Sequence, residues 1–193
     1  MHKKAIMKKL ILLFATLVCF QVRADGLMLS GRIVGVTDGD TVTVLDAENH
    51  QHEIRLASID APETSCHARR PSVRDQLCVE QSQPFGHAAK KHLSDLVYGR
   101  NVTVALQQIS NGNADRSYDR EIGTILIDGV DANLEQVKAS YAWHYLKYAR
   151  KNQTDDAFNQ YEAAQEQAQQ NRLGLWQDRH PTPPWEYRYN KRN

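Results

Sequence analysis

Apolar and polar positions follow two rhythms along the chain. Residues 27–37, 41–45, 53–59, 101–106 and 122–127 are short runs rich in Val, Ile, Leu and Thr, separated by Asp, Gly and Asn. Such runs predict strands, because β-branched side chains pack well on a pleated surface. Turns are expected at Asp38-Gly39-Asp40, at 46–50 and at Asp128-Gly129, where short carboxylates and glycine suit tight reversals. Elsewhere the spacing lengthens to three or four. Phe85, Ala89, Leu93, Leu96 and Val97 make one stripe, which predicts a helix over 84–99 with Gly99 as its stop. A weaker stripe predicts a helix over 133–141. Thr154 with Asp155 and Asp156 is a capped start for a third, whose stripe is Phe158, Tyr161, Ala164 and Ala168 and whose stop is Gly174. The prolines at 181, 183 and 184 predict a tail without regular helix, fastened to the body by Trp176 and Trp185. No internal repeat is visible. The fold expected is mainly β with helices: a five-stranded barrel of the oligonucleotide-binding (OB-fold) kind, packed against about three α-helices.

One predicted bend decides whether two charged residues can share a site. Arg55 and Asp60 are five residues apart, so an ideal strand would place them on opposite faces. Both reach one site only if the chain bends or bulges near Ser58 or Ile59. Ala61 precedes Pro62, which keeps the exit from the strand extended.

The first residues obey a different logic. Lys3, Lys4, Lys8 and Lys9 precede an eleven-residue apolar run, Leu10 to Phe20, and Val22-Arg23-Ala24 offers a cleavage point. This is the pattern of a secretory signal peptide, and the run is short for a membrane span. An uncleaved anchor is the alternative; a lipid on Cys19 is disfavoured by bulky Val18. The organisation expected is a signal peptide over 1–24, a barrel domain over 25–176 and a proline- and aromatic-rich tail over 177–193. The product would be secreted or periplasmic, monomeric, and not stably bound to membrane. Removing the leader's five basic residues from 24, against 23 acidic ones, leaves 19 to 23, or about −4. That balance argues against a protein that coats nucleic acid through bulk positive charge; any attraction for a polyanion must be local. Cys66 and Cys78 remain after cleavage, and two cysteines in an exported chain imply one disulfide, closing a polar loop just after Glu63. His67 lies between them, but the paired spacing of a zinc site is absent.

Candidate chemistry gathers around that bend. Asp40 and Asp60 are oxygen donors suited to a hard cation such as calcium or magnesium, or simply turn residues. Arg55 stands in an otherwise apolar strand, so it faces solvent, pairs with a structural carboxylate, or points into a site. Arg120 precedes an apolar strand in the same way. A guanidinium holds two phosphate oxygens in its planar fork. Glu63 is placed to activate water. Tyr118 and the cluster Tyr141, Trp143, Tyr145 and Tyr148 offer either base-stacking surfaces or ordinary packing. Lys147, Arg150 and Lys151 would attract a phosphate or form a solvated face. His67, His87 and His92 read as surface or loop residues.

Three segments carry a resemblance. Residues 33–42, containing Val36-Thr37-Asp38-Gly39-Asp40-Thr41, residues 54–63, ending Ile59-Asp60-Ala61-Pro62-Glu63, and Tyr118-Asp119-Arg120 are similar to the thermonuclease family, the staphylococcal-nuclease-like enzymes. Phe85-Gly86-His87-Ala88-Ala89 and Arg172-Leu173-Gly174-Leu175-Trp176 resemble its helix entry and closing segment. The resemblance implies calcium-dependent hydrolysis of DNA and RNA with little sequence preference and 3′-phosphate products. It implies Asp40, Asp60 and the Ala61 carbonyl as calcium ligands, Glu63 as the water-activating carboxylate, and Arg55 and Arg120 as phosphate holders. Asp119 stands where the family often has glycine, a departure that would lower substrate affinity or rearrange the turn, and Ser117 where a basic residue is frequent, which removes a phosphate contact. A barrel that binds nucleic acid without cutting it is the alternative.

Overall fold

The computed structural model describes residues 27–64, 82–107 and 121–192. The expected leader, both cysteines, Tyr118, Asp119 and Arg120 lie outside the described residues. Within them the strands are β1 (Met28–Asp38), β2 (Thr41–Leu45), β3 (Gln51–Leu56), β4 (Ile59–Asp60), β5 (Asn101–Gln107), β6 (Glu121–Ile127), β7 (Val130–Asp131) and β8 (Trp143–His144). The helices are α1 (Gly86–Val97), α2 (Ala132–Lys138), α3 (Leu146–Asn152), α4 (Asp155–Gln170) and α5 (Pro184–Arg192), with a single 3₁₀ turn at Gly174–Gln177.

Five strands close a barrel. β1 is long enough to serve two partners: its first half pairs antiparallel with β5 and its second half with β2. β2 pairs with β3 and β5 with β6. A short parallel pairing, Ile54 to Leu56 against Glu121 to Gly123, completes the ring. Closure removes the open edge that a five-stranded sheet would otherwise present. Alternate residues point inward, so Val42, Val44, Ile54, Leu56, Val104 and Ile125 are fully buried. α1 lays Ala89, Leu93 and Val97 into the same core, each fully buried side chain of Leu or Val size contributing about 1.5–3 kcal/mol. Asp131 caps α2 by accepting from the Leu134 amide at 3.0 Å, and it also accepts from the Tyr161 hydroxyl of α4 at 2.7 Å. Thr154 caps α4 as expected, its hydroxyl accepting from the Ala157 amide.

Two expectations need correction. The third strand does not run unbroken over 53–59. β3 ends at Leu56, Ser58 takes a positive φ of 63°, and the chain restarts as β4, paired with β8. The tail is not free of helix either. Pro184 opens α5, where a missing N–H costs nothing and the fixed φ suits the first turn. Pro183 supplies the carbonyl that the Glu186 and Tyr187 amides donate to. Trp185 then fastens α5 to the body, stacking flat on Tyr145 at 4.8 Å and meeting Trp143 edge-on at 5.7 Å. Trp176, buried, also meets Trp143 edge-on at 4.3 Å. His92, partly exposed, lies in α1 within the expected helix, stacks on Tyr141 at 4.8 Å and bonds the Gln136 side chain.

Candidate active site

The acidic turn after β1 and the bend after β3 meet at one rim of the barrel. Asp40 immediately precedes β2, and its carbonyl accepts from the Leu56 amide at 2.8 Å, so the turn is tied to the end of β3. Ile54 and Leu56 face the core, which puts Arg55 between them on the outer face. The left-handed residue Ser58 breaks the alternation. Ile59 therefore returns to the core while Asp60 swings to the side where Arg55 lies.

Carboxylate oxygens then organise the next four residues through their backbone. Asp40 Oδ2 accepts from the Ala61 amide at 2.9 Å. Asp38 Oδ1 accepts from the Thr64 hydroxyl at 2.8 Å and from its amide at 3.2 Å, besides the Gly39 amide. Gln83 grips the Glu63 backbone from both sides, its amide donating to the Glu63 carbonyl at 2.9 Å and its side-chain oxygen accepting from the Glu63 amide at 3.3 Å. Behind this segment, α1 begins at Gly86, where a Cβ would lie 2.4 Å from the Glu63 carbonyl oxygen. Gly39 is equally confined, since a Cβ there would sit 2.7 Å from Ala61 Cβ and 2.8 Å from Ala89 Cβ. Both close approaches bring backbone directly behind the functional side chains.

The charges are concentrated. Arg55 Nη2 donates to Asp60 Oδ1 at 2.6 Å and lies 3.0 Å from Asp40 Oδ2, bridging the two aspartates with one nitrogen. A second guanidinium arrives from the far end of the chain. Arg188 of α5 donates from Nη1 to Asp60 Oδ1 at 3.0 Å, from Nη2 to Asp60 Oδ2 at 2.7 Å, and from Nη1 to Glu63 Oε1 at 2.5 Å. Asp60 is fully buried and Asp40 nearly so. Burial pushes the Asp60 pKa up to about 6, against the hydrogen bond from Arg188 and with the Asp40 charge adding to the rise. The guanidinium contacts are those an ionised carboxylate makes. Burial likewise lifts Asp38 to about 7, with the neighbouring Asp40 charge in support and the Thr64 and Gly39 hydrogen bonds opposing. Asp38, less buried than Asp40 and Asp60, acts through these hydrogen bonds as a backbone-organising acceptor beside them.

Of the residues singled out in the sequence, Asp40, Arg55, Asp60, Ala61 and Glu63 are brought together. Arg120 and Tyr118 lie outside the described residues, although β6 begins directly after Arg120 and pairs with β3 at Ile54 and Arg55. Tyr141 is engaged with His92, Trp143 meets two tryptophans edge-on, and Tyr148 stays half exposed against Tyr145. Arg150 lies over the Phe158 ring at 4.5 Å, a packing role. Four residues that sequence reasoning passed over support the site: Gln83, Asn133, Gln136 and Arg188. Asn133 and Gln136 lie on the same α2 face as Ala132 and Val137, so polar residues on an apolar stripe were the available signal. For Arg188 the signal was a proline pair opening a short helix.

The set suits a hard cation. Among the described residues no three His, Cys, Asp or Glu side chains form a cage of their own. Asp40 and Asp60, however, supply oxygen donors at a buried rim, with the Ala61 carbonyl in the adjoining backbone. Three carboxylates there meet two guanidiniums, and Arg188 shows that the pocket accepts a cation against Asp60. Such a donor set, completed by water, matches calcium or magnesium chemistry.

Comparison with known proteins agrees with this chemistry. Residues 53–178, more than half the chain, match the family model described as staphylococcal nuclease homologue. An "Uncharacterized endonuclease" of Haemophilus influenzae is 34% identical over 187 residues, covering 97% of this chain and 86% of that protein. A "Micrococcal nuclease" of Shigella flexneri is 30% identical over 172 residues, covering 84% of this chain and 82% of that protein.

Proposed function

The chain belongs to the family of staphylococcal nuclease homologues and is a phosphodiester hydrolase acting on nucleic acid; from that premise we propose a calcium-dependent endonuclease that cleaves DNA and RNA with little sequence preference and leaves 3′-phosphate ends. The observation that carries the reading is the contact of Asp40, Arg55 and Asp60 at one rim, with Glu63 held to the same Asp60 through Arg188.

Each residue then has a part. Asp40 and Asp60 hold the cation, with the Ala61 carbonyl as a third oxygen. When bound, the metal supplies positive charge that offsets the charge growing on the phosphate. Arg55 engages Asp40 and Asp60 through Nη2, and its planar fork is the group offered to a phosphate oxygen. Arg120, ahead of β6, is the second phosphate holder. Glu63 takes the proton from the attacking water, and the backbone grip of Gln83 sets where its carboxylate can reach. Tyr118 contacts the substrate. The arginines stabilise the charge that develops in the transition state more than that of the substrate, which is what raises the rate.

The enzyme is exported by the leader over 1–24, carries the disulfide Cys66–Cys78, works as a monomer and is not retained on membrane. Alkylation with and without reductant tests the disulfide; two free thiols in the oxidised protein would rule it out. The function itself is tested with single-stranded DNA, duplex DNA and RNA in calcium, magnesium or chelator, together with analysis of the product ends. Calcium-dependent cleavage with 3′-phosphates is expected. Binding without turnover in any metal would favour the non-catalytic barrel instead.

A further inference from the structure

We propose that α5 is a latch on the active site, with Arg188 occupying Asp60 and Glu63 in the place of the divalent cation, so that metal binding requires the helix to lift. The inference rests on the reading of Asp40 and Asp60 as the metal site.

The geometry is that of an occupant. Arg188 covers both oxygens of Asp60 with its fork and reaches Glu63 with the same nitrogen that touches Oδ1. Asp60 Oδ1 already receives Arg55. Arg188 takes two acceptor positions of Asp60 and Arg55 a third, so a cation drawing on Asp60 competes with Arg188 for the same two oxygens and would stand beside a like charge. The two occupants compete for the same atoms. Arg188 also occupies Glu63, bonding a carboxylate oxygen that a water molecule would otherwise meet.

The attachment of α5 is of a kind that can release. The helix is short, and its anchoring includes Trp185 on Tyr145 and Trp143 and Arg188 on the carboxylates; just before it, the Thr182 carbonyl accepts from Gln83 Nε2 at 2.6 Å. Gln83 is the residue that grips the Glu63 backbone, so the tail and the candidate base share one support. Trp185 lies flat over Tyr145, so the closed helix covers an aromatic face as well as the acid cluster. Lifting α5 would uncover both together, leaving a ring beside the phosphate site on which a base can stack. The side chain of Arg188 keeps about a third of its surface exposed (35%), whereas Asp60 has none, so the helix closes from the solvent side.

Calcium binding measured by calorimetry without nucleic acid tests the latch independently of turnover. The purified protein is compared with Arg188→Gln and Trp185→Ala. Arg188→Gln should bind calcium about tenfold more tightly, the factor by which a latch closed roughly nine-tenths of the time weakens apparent affinity. Trp185→Ala keeps the arginine charge and only loosens the helix, and it should tighten binding in the same direction. In the unaltered protein, saturating calcium should speed hydrogen exchange of the α5 amides while the barrel amides stay protected. Wild-type affinity in both variants would overturn the proposal. Tightening by Arg188→Gln alone would overturn it too, since that is a local charge effect. Unchanged affinity with lost cleavage in Arg188→Gln would make Arg188 a phosphate-holding residue instead. No calcium bound by any of the three would remove the metal site itself, and the latch with it.

Discussion

Gln136 holds the acidic turn from behind, and its replacement gives a worked test of how the site is built. Its side-chain nitrogen donates to the Gly39 carbonyl at 2.7 Å and to the Ala89 carbonyl at 3.2 Å, and its oxygen bonds the His92 ring. It is fully buried, and Gly39 separates Asp38 from Asp40. Gln136→Leu preserves volume but removes the donor. The Ala89 carbonyl keeps its helical partner four residues on, and His92, half exposed, can turn to water. The Gly39 carbonyl is buried and loses its donor, which costs about 1–3 kcal/mol. Burial of the leucine offsets about 1 kcal/mol of this. The expected net loss is about 1 kcal/mol by urea denaturation at neutral pH. Gln136→Glu should be worse than leucine, because a carboxylate would face two carbonyl oxygens with no proton to give. Calcium affinity should fall in both, as the turn bearing Asp40 loses its backing. A leucine variant within about 0.5 kcal/mol of wild type, or a glutamate variant no worse than leucine, would refute the donor role.

Three further outcomes are expected. Glu63→Gln should retain calcium and substrate binding while the cleavage rate falls by about 10²–10⁴-fold, the usual contribution of a general base; lost binding with unchanged turnover at saturating substrate would contradict the role. Gly86→Ala forces a methyl group against the Glu63 carbonyl, and backbone on both sides cannot yield, so single-turnover cleavage should drop with little change in calcium affinity; wild-type rates would show that α1 does not position Glu63. His52 bridges Asp46 at 3.0 Å and Glu121 at 3.1 Å, which raises its pKa above the ordinary value, the Asp46 hydrogen bond contributing most. A raised histidine contributes stability that is full below its unfolded pKa of about 6.5 and is lost as pH rises through the higher folded value. His52→Gln should therefore lower Tm relative to wild type at pH 5.5 and approach parity at pH 9; a pH-independent difference would argue against the ion pairs.

Arg188 changes how the active rim is understood. Without it, the site is a set of carboxylates bridged by Arg55. With it, the tail carries a side chain into direct contact with Asp60 and Glu63, across 128 and 125 residues of sequence. Gln83 ties the same tail to the Glu63 backbone, so events at the C-terminal helix and at the candidate base are mechanically linked.

By itself the sequence determined the elements and the cast of reactive groups. Alternation at Val42 and Val44, and at Ile54 and Leu56, specifies strands with an inward face, because the side-chain period of a strand is two. The three-to-four spacing from Phe85 to Val97 specifies a helix, and Thr154 its successor's start. Asp40, Arg55, Asp60 and Glu63 stand out as charges in or beside apolar runs, where burial without purpose is expensive. These signals are local, so a linear reading reaches them. The tertiary structure decided the rest. A single left-handed residue, Ser58, turned Asp60 onto the side of Arg55, and only the pairing of β4 with β8 makes that turn worth its strain. Burial of Asp38 and Asp60, which raises their pKa values, depends on what packs over them. The prolines of the tail, read as breakers, became a helix start because Trp185 had Tyr145 and Trp143 to stack on. Gln83, Gln136 and Arg188 look like ordinary polar residues until the barrel closes. Each then faces a charge or a carbonyl from a distant segment, and it is that pairing, made only in three dimensions, that holds the rim together.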